Sequence, residues 1–212
     1  MLFGGPYEEL TKSQINKLFD LLSVHFYKFS KNQEILPTIK NANIIAIVLT
    51  GHAQIISIEY NGNEILVEEL TKNSVFGSRI SATNSENYEI IAKQDTEVVV
   101  IDYDSLLNPT NLKHNFFNIF LKNLFDIIAT KLKEKNERIR VLEKKQIREK
   151  LLEYFDIQRK KSFSNYFYLP FSLKDLADYL AVNRSAMFRE LKHLKEEGFI
   201  EIHNRKITLL YK

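Results

Sequence analysis

The sequence contains no cysteine, and this absence excludes several kinds of chemistry. The 212 residues also include no tryptophan, only four prolines and only six glycines. Without cysteine the chain forms no disulfide, no thiolate metal site and no cysteine-ligated iron–sulfur cluster. No stretch approaches the roughly 18 uninterrupted apolar residues of a membrane helix, and the N-terminal MLFGGPYEEL lacks the features of an export signal. We therefore expect a cytoplasmic protein with no membrane partner.

Charge is distributed unevenly along the chain. The formal net charge is +3, but residues 1–130 hold 10 Lys and Arg against 15 Asp and Glu, whereas residues 131–212 hold 20 against 12. A basic C-terminal part that follows an acidic N-terminal part predicts that only the C-terminal part contacts a polyanion such as nucleic acid. The alternative is that lysine-rich helices are merely exposed to solvent.

The N-terminal half carries short extended segments that are rich in β-branched residues and bounded by turn residues. These segments are residues 44–49, 53–60, 64–70 and 97–101. The pair Asn61-Gly62 is a strong hairpin signal, because both central residues of such a turn need a positive φ. Strands at this spacing predict a small all-β barrel or sandwich.

A long amphipathic segment follows Pro109, which suits a helix entry. Residues 111–143 contain no Gly or Pro, and a helix of about 33 residues is about 50 Å long, more than a small domain covers. Its apolar stripe is therefore expected to face a second copy of the chain, as in a coiled-coil dimer. The alternative is a helix that packs only within its own subunit. The predicted dimer-interface residues are Phe117, Leu121, Leu124, Ile128, Leu132 and Ile139.

The stretch LADYLAVNRSAMFRELKHL, residues 176–194, contains two short amphipathic segments separated by a few residues. Ser172 followed by Asp175 fits a capping box, which predicts a helix that begins at Leu173. Asn183 is a good N-cap for a second helix. The buried stripe of that helix is predicted to consist of Met187, Leu191 and Leu194.

The chain ends in a segment that alternates around a basic turn. Residues 199–211 read FIEIHNRKITLLY and predict a terminal hairpin. Two short helices followed by a basic hairpin are the layout of a winged helix-turn-helix, in which the second helix lies in the DNA major groove.

Polar and aromatic side chains left outside this predicted core indicate a DNA-binding face. Arginine in the major groove donates bidentately to guanine, and a phenylalanine contacts a thymine methyl group. Side chains at the helix starts and in the hairpin are placed for phosphates, which supply affinity rather than sequence choice. The alternatives are simple solvent exposure of the charges and core packing of Phe188. The predicted DNA-binding residues are Ser172, Asn183, Arg184, Ser185, Phe188, Arg189, Lys192, Arg205 and Lys206.

The string FSLKDLADYLAVNRSAMFRELKHLKEEGFIEIHNRKITLL closely resembles the DNA-binding domain of Crp/Fnr-type bacterial transcription regulators. Arg184 and Arg189 fall where that family presents its base-reading pair. Ser185 occupies a position where many members carry an acidic residue, which implies altered recognition of one base. Ala181 stands where the family often has glycine in the turn, a position that a non-glycine residue tolerates at modest cost.

The resemblance extends over almost the whole chain and implies an α+β fold in three parts. These are a cyclic-nucleotide-binding-like β-roll (a double-stranded β-helix) over residues 1–108, a long dimerisation helix over 109–143, and a winged helix-turn-helix domain over 144–212. It implies a homodimer that binds double-stranded DNA and reads a palindromic or pseudo-palindromic operator through the recognition helix 184–197. The half-sites are then roughly 34 Å apart. RNA polymerase is a further partner that the resemblance suggests.

In this family the β-roll is an effector domain, and the cyclic-AMP-binding members carry a Gly-Glu pair followed later by Arg-Ser or Arg-Thr. Here Gly77 is present, but Ser78 stands in the Glu position and Glu86-Asn87 in the Arg-Ser position. A carboxylate repels the cyclic phosphate that a guanidinium binds. We therefore expect no response to cyclic AMP.

Other cofactors are also not expected. His25, His52 and His114 are isolated candidates for a haem ligand, and a histidine in such a position is more often exposed or hydrogen-bonded. No His, Asp and Glu cluster has the spacing of a metal site. No catalytic arrangement is recognisable either, so the protein is not expected to be an enzyme.

A small-molecule effector could instead occupy an aromatic pocket between the β-roll and the start of the long helix. The candidate residues are Phe76, Gly77, Ser78, Arg79, Tyr88, Phe116, Phe117 and Phe120. The alternative, which we favour, is that these rings fill the interface between roll and helix. Two further hypotheses are a ligand-independent regulator with a purely structural β-roll, and an effector-binding protein whose winged domain contacts protein.

Overall fold

The computed structural model describes residues 5–35, 43–60, 62, 64–78, 80, 88–170 and 172–211. The chain forms two compact units, Met1–Thr130 and Lys131–Lys212. This division falls inside a long helix, so the predicted domain boundaries at 108/109 and 143/144 stay predictions. Among the helices of the described ranges, none has both the length and the apolar character that crossing a membrane requires.

The first unit is an antiparallel β-sandwich preceded by one helix. Its elements are α1 (Lys12–Leu22), β1 (His25–Phe29), β2 (Ile44–Thr50), β3 (Ala53–Ile58), β4 (Glu64–Leu70), β5 (Val75–Phe76), β6 (Tyr88–Ala92), β7 (Thr96–Asp102) and α2 (Tyr103–Leu106). One sheet has the strand order β1-β7-β2-β5 and the other β4-β3-β6. The four segments predicted to be extended are strands, which confirms the predicted β-barrel or sandwich, but the unit is not all-β because it also contains α1 and α2.

One predicted strand ends earlier than expected. β3 stops at Ile58 instead of residue 60, because the amide of Gly62 donates to the carbonyl oxygen of Glu59 at 2.9 Å and begins the turn there. Gly62 has a φ of +82°, the left-handed conformation that the turn prediction required of it. Asn61, the other residue of that prediction, lies outside the described residues.

The four-stranded sheet is buried on both faces. Successive side chains of a strand point to opposite faces, and in β2 Ile45 and Ile47 join a core with α1, whereas Ala46 and Val48 join a second core against the other sheet. Six consecutive buried residues in β2 follow from this double burial. The same sheet therefore separates two hydrophobic cores.

The long helix begins later than predicted. A 3₁₀ turn covers Pro109–Lys113, with the side chain of Asn108 accepting a hydrogen bond from the amide of Thr110. His114 then has an extended backbone, and α3 spans Asn115–Leu142. Pro109 therefore begins the short turn and not α3, whose 28 residues extend for about 42 Å.

Burial along α3 corrects part of the predicted dimer interface. Phe117 and Leu124 are 0% and 3% exposed because they pack into the core beneath α1, so their side chains do not reach the surface of the subunit. The apolar side chains that α3 exposes are Phe125, which was not predicted, and the predicted Leu132 and Ile139. They are 63%, 59% and 51% exposed. These three lie seven residues apart and therefore on one side of the helix.

The second unit contains the remaining elements around a single core. They are α4 (Ile147–Ser162), β8 (Tyr166–Tyr168), α5 (Leu173–Tyr179), α6 (Arg184–Glu196), β9 (Ile200–His203) and β10 (Lys206–Leu209). The three strands form an antiparallel sheet with the order β8-β10-β9. The two short helices and the terminal hairpin were predicted, and the third strand, β8, was not.

Candidate nucleic-acid interface

The first helix of the pair, α5, is fixed at both ends by local hydrogen bonds. Ser172 Oγ accepts a hydrogen bond from the amide of Asp175 at 3.2 Å, and the Asp175 carboxylate accepts one in return from the amide of Ser172. This reciprocal pair is the predicted capping box. The Ser172 hydroxyl also donates to Asp175 Oδ2 at 2.7 Å, so it is engaged as a helix cap, and its predicted phosphate contact stays a prediction.

The turn between the two helices is a Schellman motif. The amide of Val182 donates to the carbonyl oxygen of Ala177 at 3.0 Å, and that of Ala181 donates to Asp178 at 3.1 Å. Ala181 has a φ of +51°. Glycine adopts this left-handed conformation without the Cβ clash that alanine has, so Ala181 places a small strain in the turn that leads into α6.

The second helix, α6, is anchored by its apolar stripe. Met187, Leu191 and Leu194 are buried in the core of the unit. Asn183 caps the helix, since its Oδ1 accepts a hydrogen bond from the amide of Ala186 at 3.1 Å. This predicted stripe and this predicted cap are confirmed, and together they fix which face of α6 is presented outward.

The outward face of α6 carries the side chains that the sequence predicted to meet DNA. Phe188 is 46% exposed, so it does not belong to the core, in contrast to its neighbour Met187. Lys192 is exposed, and its Nζ lies 3.6 Å from Glu196 Oε1. The exposed residues of this face are the first, second, fifth, sixth and ninth residues of α6, namely Arg184, Ser185, Phe188, Arg189 and Lys192.

One of the two arginines already has an acidic partner. Arg184 Nη2 donates to Asp178 Oδ2 at 2.7 Å, which joins the first residue of α6 to the last turn of α5. The charge of Arg184 also helps to lower the pKa of Asp175, although the hydrogen bond from Ser172 is the largest cause. The arginine therefore pairs directly with Asp178 across the turn.

The terminal hairpin forms a basic wing. Asn204 at its tip has a φ of +56°, and Arg205 beside it is exposed. The ammonium group of Lys206 lies 4.4 Å from the ring centroid of Tyr166 on β8. The amide of Leu169 donates to the carbonyl oxygen of Arg205 at 2.8 Å, so the wing tip lies beside the segment that leads into α5.

Helix α4 holds α6 in place through one arginine. Arg148 binds the carboxylate of Glu190 on α6 and that of Glu197, the residue that follows α6, and its guanidinium lies 5.0 Å from the ring centroid of Phe199. Its hydrogen bond to Glu197 is the largest cause of that carboxylate's lowered pKa. These contacts were not predicted, because partners on different helices leave no periodic signal in the sequence.

The aromatic residues predicted to form an effector pocket are divided between two hydrophobic cores. Phe117 and Phe120 are buried in the core beneath α1, where Tyr7 stacks on Phe120 with 5.9 Å between ring centroids. Phe76 belongs to the other core, on the opposite face of the four-stranded sheet, and Tyr88 packs against that core. The predicted single pocket is therefore wrong for these rings, because a strand that buries Val75 towards the helices must turn Phe76 away from them.

The other described members of that set are Phe116, Gly77 and Ser78. Phe116 packs at the edge of the core beneath α1, with its ring stacked on His114 at 5.1 Å between centroids. Gly77 has a φ of +133°, and a side chain there meets the carbonyl oxygen of Ile44. Ser78 follows it in the chain, and Arg79 lies outside the described residues.

Two of the isolated histidines have identifiable neighbours. His52 Nε2 is hydrogen-bonded to the carboxylate of Glu69, and the ring of His114 stacks on that of Phe116. Within the described ranges, no three His, Cys, Asp or Glu side chains gather in a way that could hold a metal ion.

The fold of the second unit and the exposed basic face of α6 define a winged helix-turn-helix DNA-binding protein. Two family models match the chain: the cyclic nucleotide-binding domain over residues 27–109 and the Crp-like helix-turn-helix domain over residues 145–211. Together they cover more than half of the sequence. The chain belongs to the Crp/Fnr family of DNA-binding transcription regulators.

Solved structures with the same fold cover nearly the whole chain. A CprK structure complexed with OCPA is 17% identical with a TM-score of 0.63, over 92% of this chain and 89% of that one. A CooA mutant from Carboxydothermus hydrogenoformans is 18% identical with a TM-score of 0.58, over 96% and 88%. The c-di-GMP-responsive regulator CLP from Xanthomonas campestris is 16% identical with a TM-score of 0.54, over 95% and 100%. A comparison with curated protein sequences found no match.

Proposed function

We propose that the protein is a homodimeric transcription regulator that reads a palindromic or pseudo-palindromic operator through α6. The observation that carries this proposal is the outward face of α6, on which Arg184, Ser185, Phe188, Arg189 and Lys192 lie together while the opposite stripe is buried. A 13-residue helix that presents arginines from its first turns fits the major groove. The winged tip with Arg205 and Lys206 supplies phosphate contacts beside it.

The dimer is proposed from the exposed stripe of α3. Phe125, Leu132 and Ile139 occupy one position of a heptad, and Leu121 and Ile128 occupy the position four residues before Phe125 and Leu132. Such a stripe fits a coiled-coil contact with a second copy of the same helix. A two-fold dimer then presents two copies of α6 to two half-sites, which makes the operator symmetric.

The test is selection of bound sequences from a pool of random DNA duplexes at near-physiological salt. We expect the wild-type protein to enrich a two-fold symmetric site. The double variant Arg184→Ala/Arg189→Ala should lose that enrichment, because it removes the predicted base-reading pair. The matched control, Lys12→Ala/Lys17→Ala, removes the same charge from exposed positions of α1 and should select as the wild type does.

An absence of enrichment has two readings that a second selection separates. If a cell extract restores enrichment, an effector is required for DNA binding. If wild-type protein selects nothing with or without extract, the operator-reading function is wrong. A steep loss of affinity with rising salt is expected in addition, since neutralising several phosphates releases counterions. A winged domain that contacts protein predicts little salt dependence.

We further propose that cyclic AMP is not the effector. Ser78 stands where the cyclic-AMP-binding members have glutamate, and the expected Arg-Ser position reads Glu86-Asn87. The measurement is operator affinity with and without cyclic AMP, for which we expect no change. A tightening of operator binding by cyclic AMP contradicts this proposal.

A ligand-independent regulator is the second candidate. The observation that favours it is the filled interior of the β-roll, where Ile55, Phe76 and Ile90 are buried between the two sheets. It predicts equal operator affinity with and without a metabolite extract. A change in affinity on adding the extract favours effector control. As part of this proposal, the protein acts in the cytoplasm, has RNA polymerase as a partner and is not an enzyme.

A further inference from the structure

The ion pair between Asp178 and Arg184 joins two side chains that each occupy an unfavourable end of a helix. Asp178 lies in the last turn of α5, residues 176–179, which reads LADY. Arg184 is the first residue of α6, whose first turn reads RSAM. A helix dipole favours cations at the C-terminus and anions at the N-terminus. Both charges are therefore on the wrong ends for helix stability, and neither turn carries a charge of the favourable sign.

The two charges compensate each other across the turn. Arg184 Nη2 lies 2.7 Å from Asp178 Oδ2, and the two side chains are 47% and 60% exposed. An exposed pair of this kind contributes little to folding stability. Stability alone does not explain the arrangement, and its location at the start of the outward face of α6 points to DNA recognition.

We propose that Asp178 is a positioning residue that orients the guanidinium of Arg184 for base recognition. This inference rests on the proposed operator-reading function. The guanidinium has five N–H donors in a fixed plane. One Nη2 donor is used by Asp178. Among the described residues no other partner of this guanidinium is found, so its remaining donors can reach the O6 and N7 atoms of a guanine.

Holding the side chain in advance reduces the entropy lost when DNA binds. A long, freely rotating arginine loses conformational freedom on binding, and this cost is lower when one donor is already fixed. Without Asp178, Arg184 should still be attracted to DNA by its charge, but it should discriminate less well between guanine and other bases. Asp178 therefore acts on specificity, through Arg184.

The experiment measures discrimination on the operator that selection identifies. The selected duplex is compared with duplexes changed at the base pair whose preference Arg184→Ala abolishes and at the base pair whose preference Arg189→Ala abolishes. Each duplex is labelled, and its dissociation constant is measured for every variant. Discrimination at a base pair is the dissociation constant of the duplex changed there divided by that of the selected duplex. A general gain in affinity from removing a negative charge affects both duplexes equally and cancels in this ratio.

We expect Asp178→Asn to reduce discrimination at the Arg184 base pair by about two- to tenfold and to leave discrimination at the Arg189 base pair unchanged. In the Arg184→Ala background, Asp178→Asn should have no further effect on either ratio. The control Glu143→Gln removes the same charge from an exposed position of the same unit and should preserve both ratios. Thermal melting of each variant verifies that the unit is folded.

Three results overturn the inference. If discrimination at the Arg184 base pair is unchanged or increased in Asp178→Asn, the carboxylate does not position the arginine. An equal loss at the Arg189 base pair shows a general distortion of α6. If the wild-type protein itself selects no DNA, with or without extract, the proposed function fails first and the inference fails with it.

Discussion

The ammonium group of Lys150 donates a hydrogen bond to the backbone carbonyl of Leu180 at 3.0 Å. Leu180 is the C-cap residue directly after α5, so this contact joins α4 to the turn of the helix-turn-helix. The carbonyl groups at a helix C-terminus lack intrahelical partners, and a lysine is a favourable partner for them. The contact therefore helps to fix the angle at which α6 leaves the turn.

Replacing Lys150 with Met should loosen this turn. Methionine keeps most of the side-chain volume but removes the charged donor, and we expect a loss of about 1 kcal/mol in the free energy of unfolding. Urea titration measures it. The same change at exposed Lys145, two residues before α4, is the control and should be within about 0.5 kcal/mol of wild type. Equal effects of the two variants contradict the structural role of Lys150.

The left-handed conformation of Ala181 predicts a stabilising substitution. Ala181→Gly removes the Cβ that makes a φ of +51° unfavourable, and we expect a gain of about 1 kcal/mol in the free energy of unfolding. The matched variant is Ala186→Gly in the first turn of α6, where glycine costs up to about 1 kcal/mol. Opposite shifts in the thermal midpoint are expected. A loss of stability in Ala181→Gly contradicts the assigned backbone geometry.

The sequence was sufficient for elements with a local signal. The capping box at Ser172, the N-cap at Asn183 and the period of Met187 and Leu191 depend on spacings of three or four residues, and the structure has all of them. These features determine the outward face of α6, so most of the candidate site followed from residue order.

Features that depend on tertiary contacts did not follow from the sequence. Phe117 and Leu124 have the spacing of a dimer stripe, but the packing of α1 on α3 buries them inside the subunit. Spacing alone cannot show which side of a long helix its own domain covers. Likewise, Asp178 and Arg184 are six residues apart across a turn, a separation that no helical period brings together.

The corrected stripe on α3 predicts where a charge disrupts the dimer. Leu132→Glu places a carboxylate in the exposed heptad stripe, and we expect dissociation to monomers, measured by sedimentation at micromolar concentration. Lys133→Glu introduces the same residue one position away, outside the stripe, and should remain dimeric. A monomeric wild type, or a dimeric Leu132→Glu variant, contradicts the assignment of this stripe to the dimer contact.

Phe117→Ala tests the other side of the same helix. Because Phe117 is fully buried, the variant should lose about 3–5 kcal/mol in the free energy of unfolding. Its association, measured on the fraction that remains folded at low temperature, should be that of the wild type. Dissociation of a fully folded Phe117→Ala variant is the result that restores the original dimer assignment of this residue.

The carboxylate of Glu197 predicts a dependence of stability on acid. Its hydrogen bond to Arg148 holds its pKa below the ordinary value of 4.5, so the folded state binds a proton at this site less readily than the unfolded state. The contribution of the pair is therefore present above about pH 4.5 and is lost as the pH falls through the lowered folded pKa. Urea midpoints at pH 7 and at pH 3 measure the difference. Glu197→Gln should show a smaller difference between the two midpoints than wild type. The control Glu143→Gln, at an exposed position, should match wild type. An equal pH dependence in all three proteins contradicts the role of the Arg148–Glu197 pair.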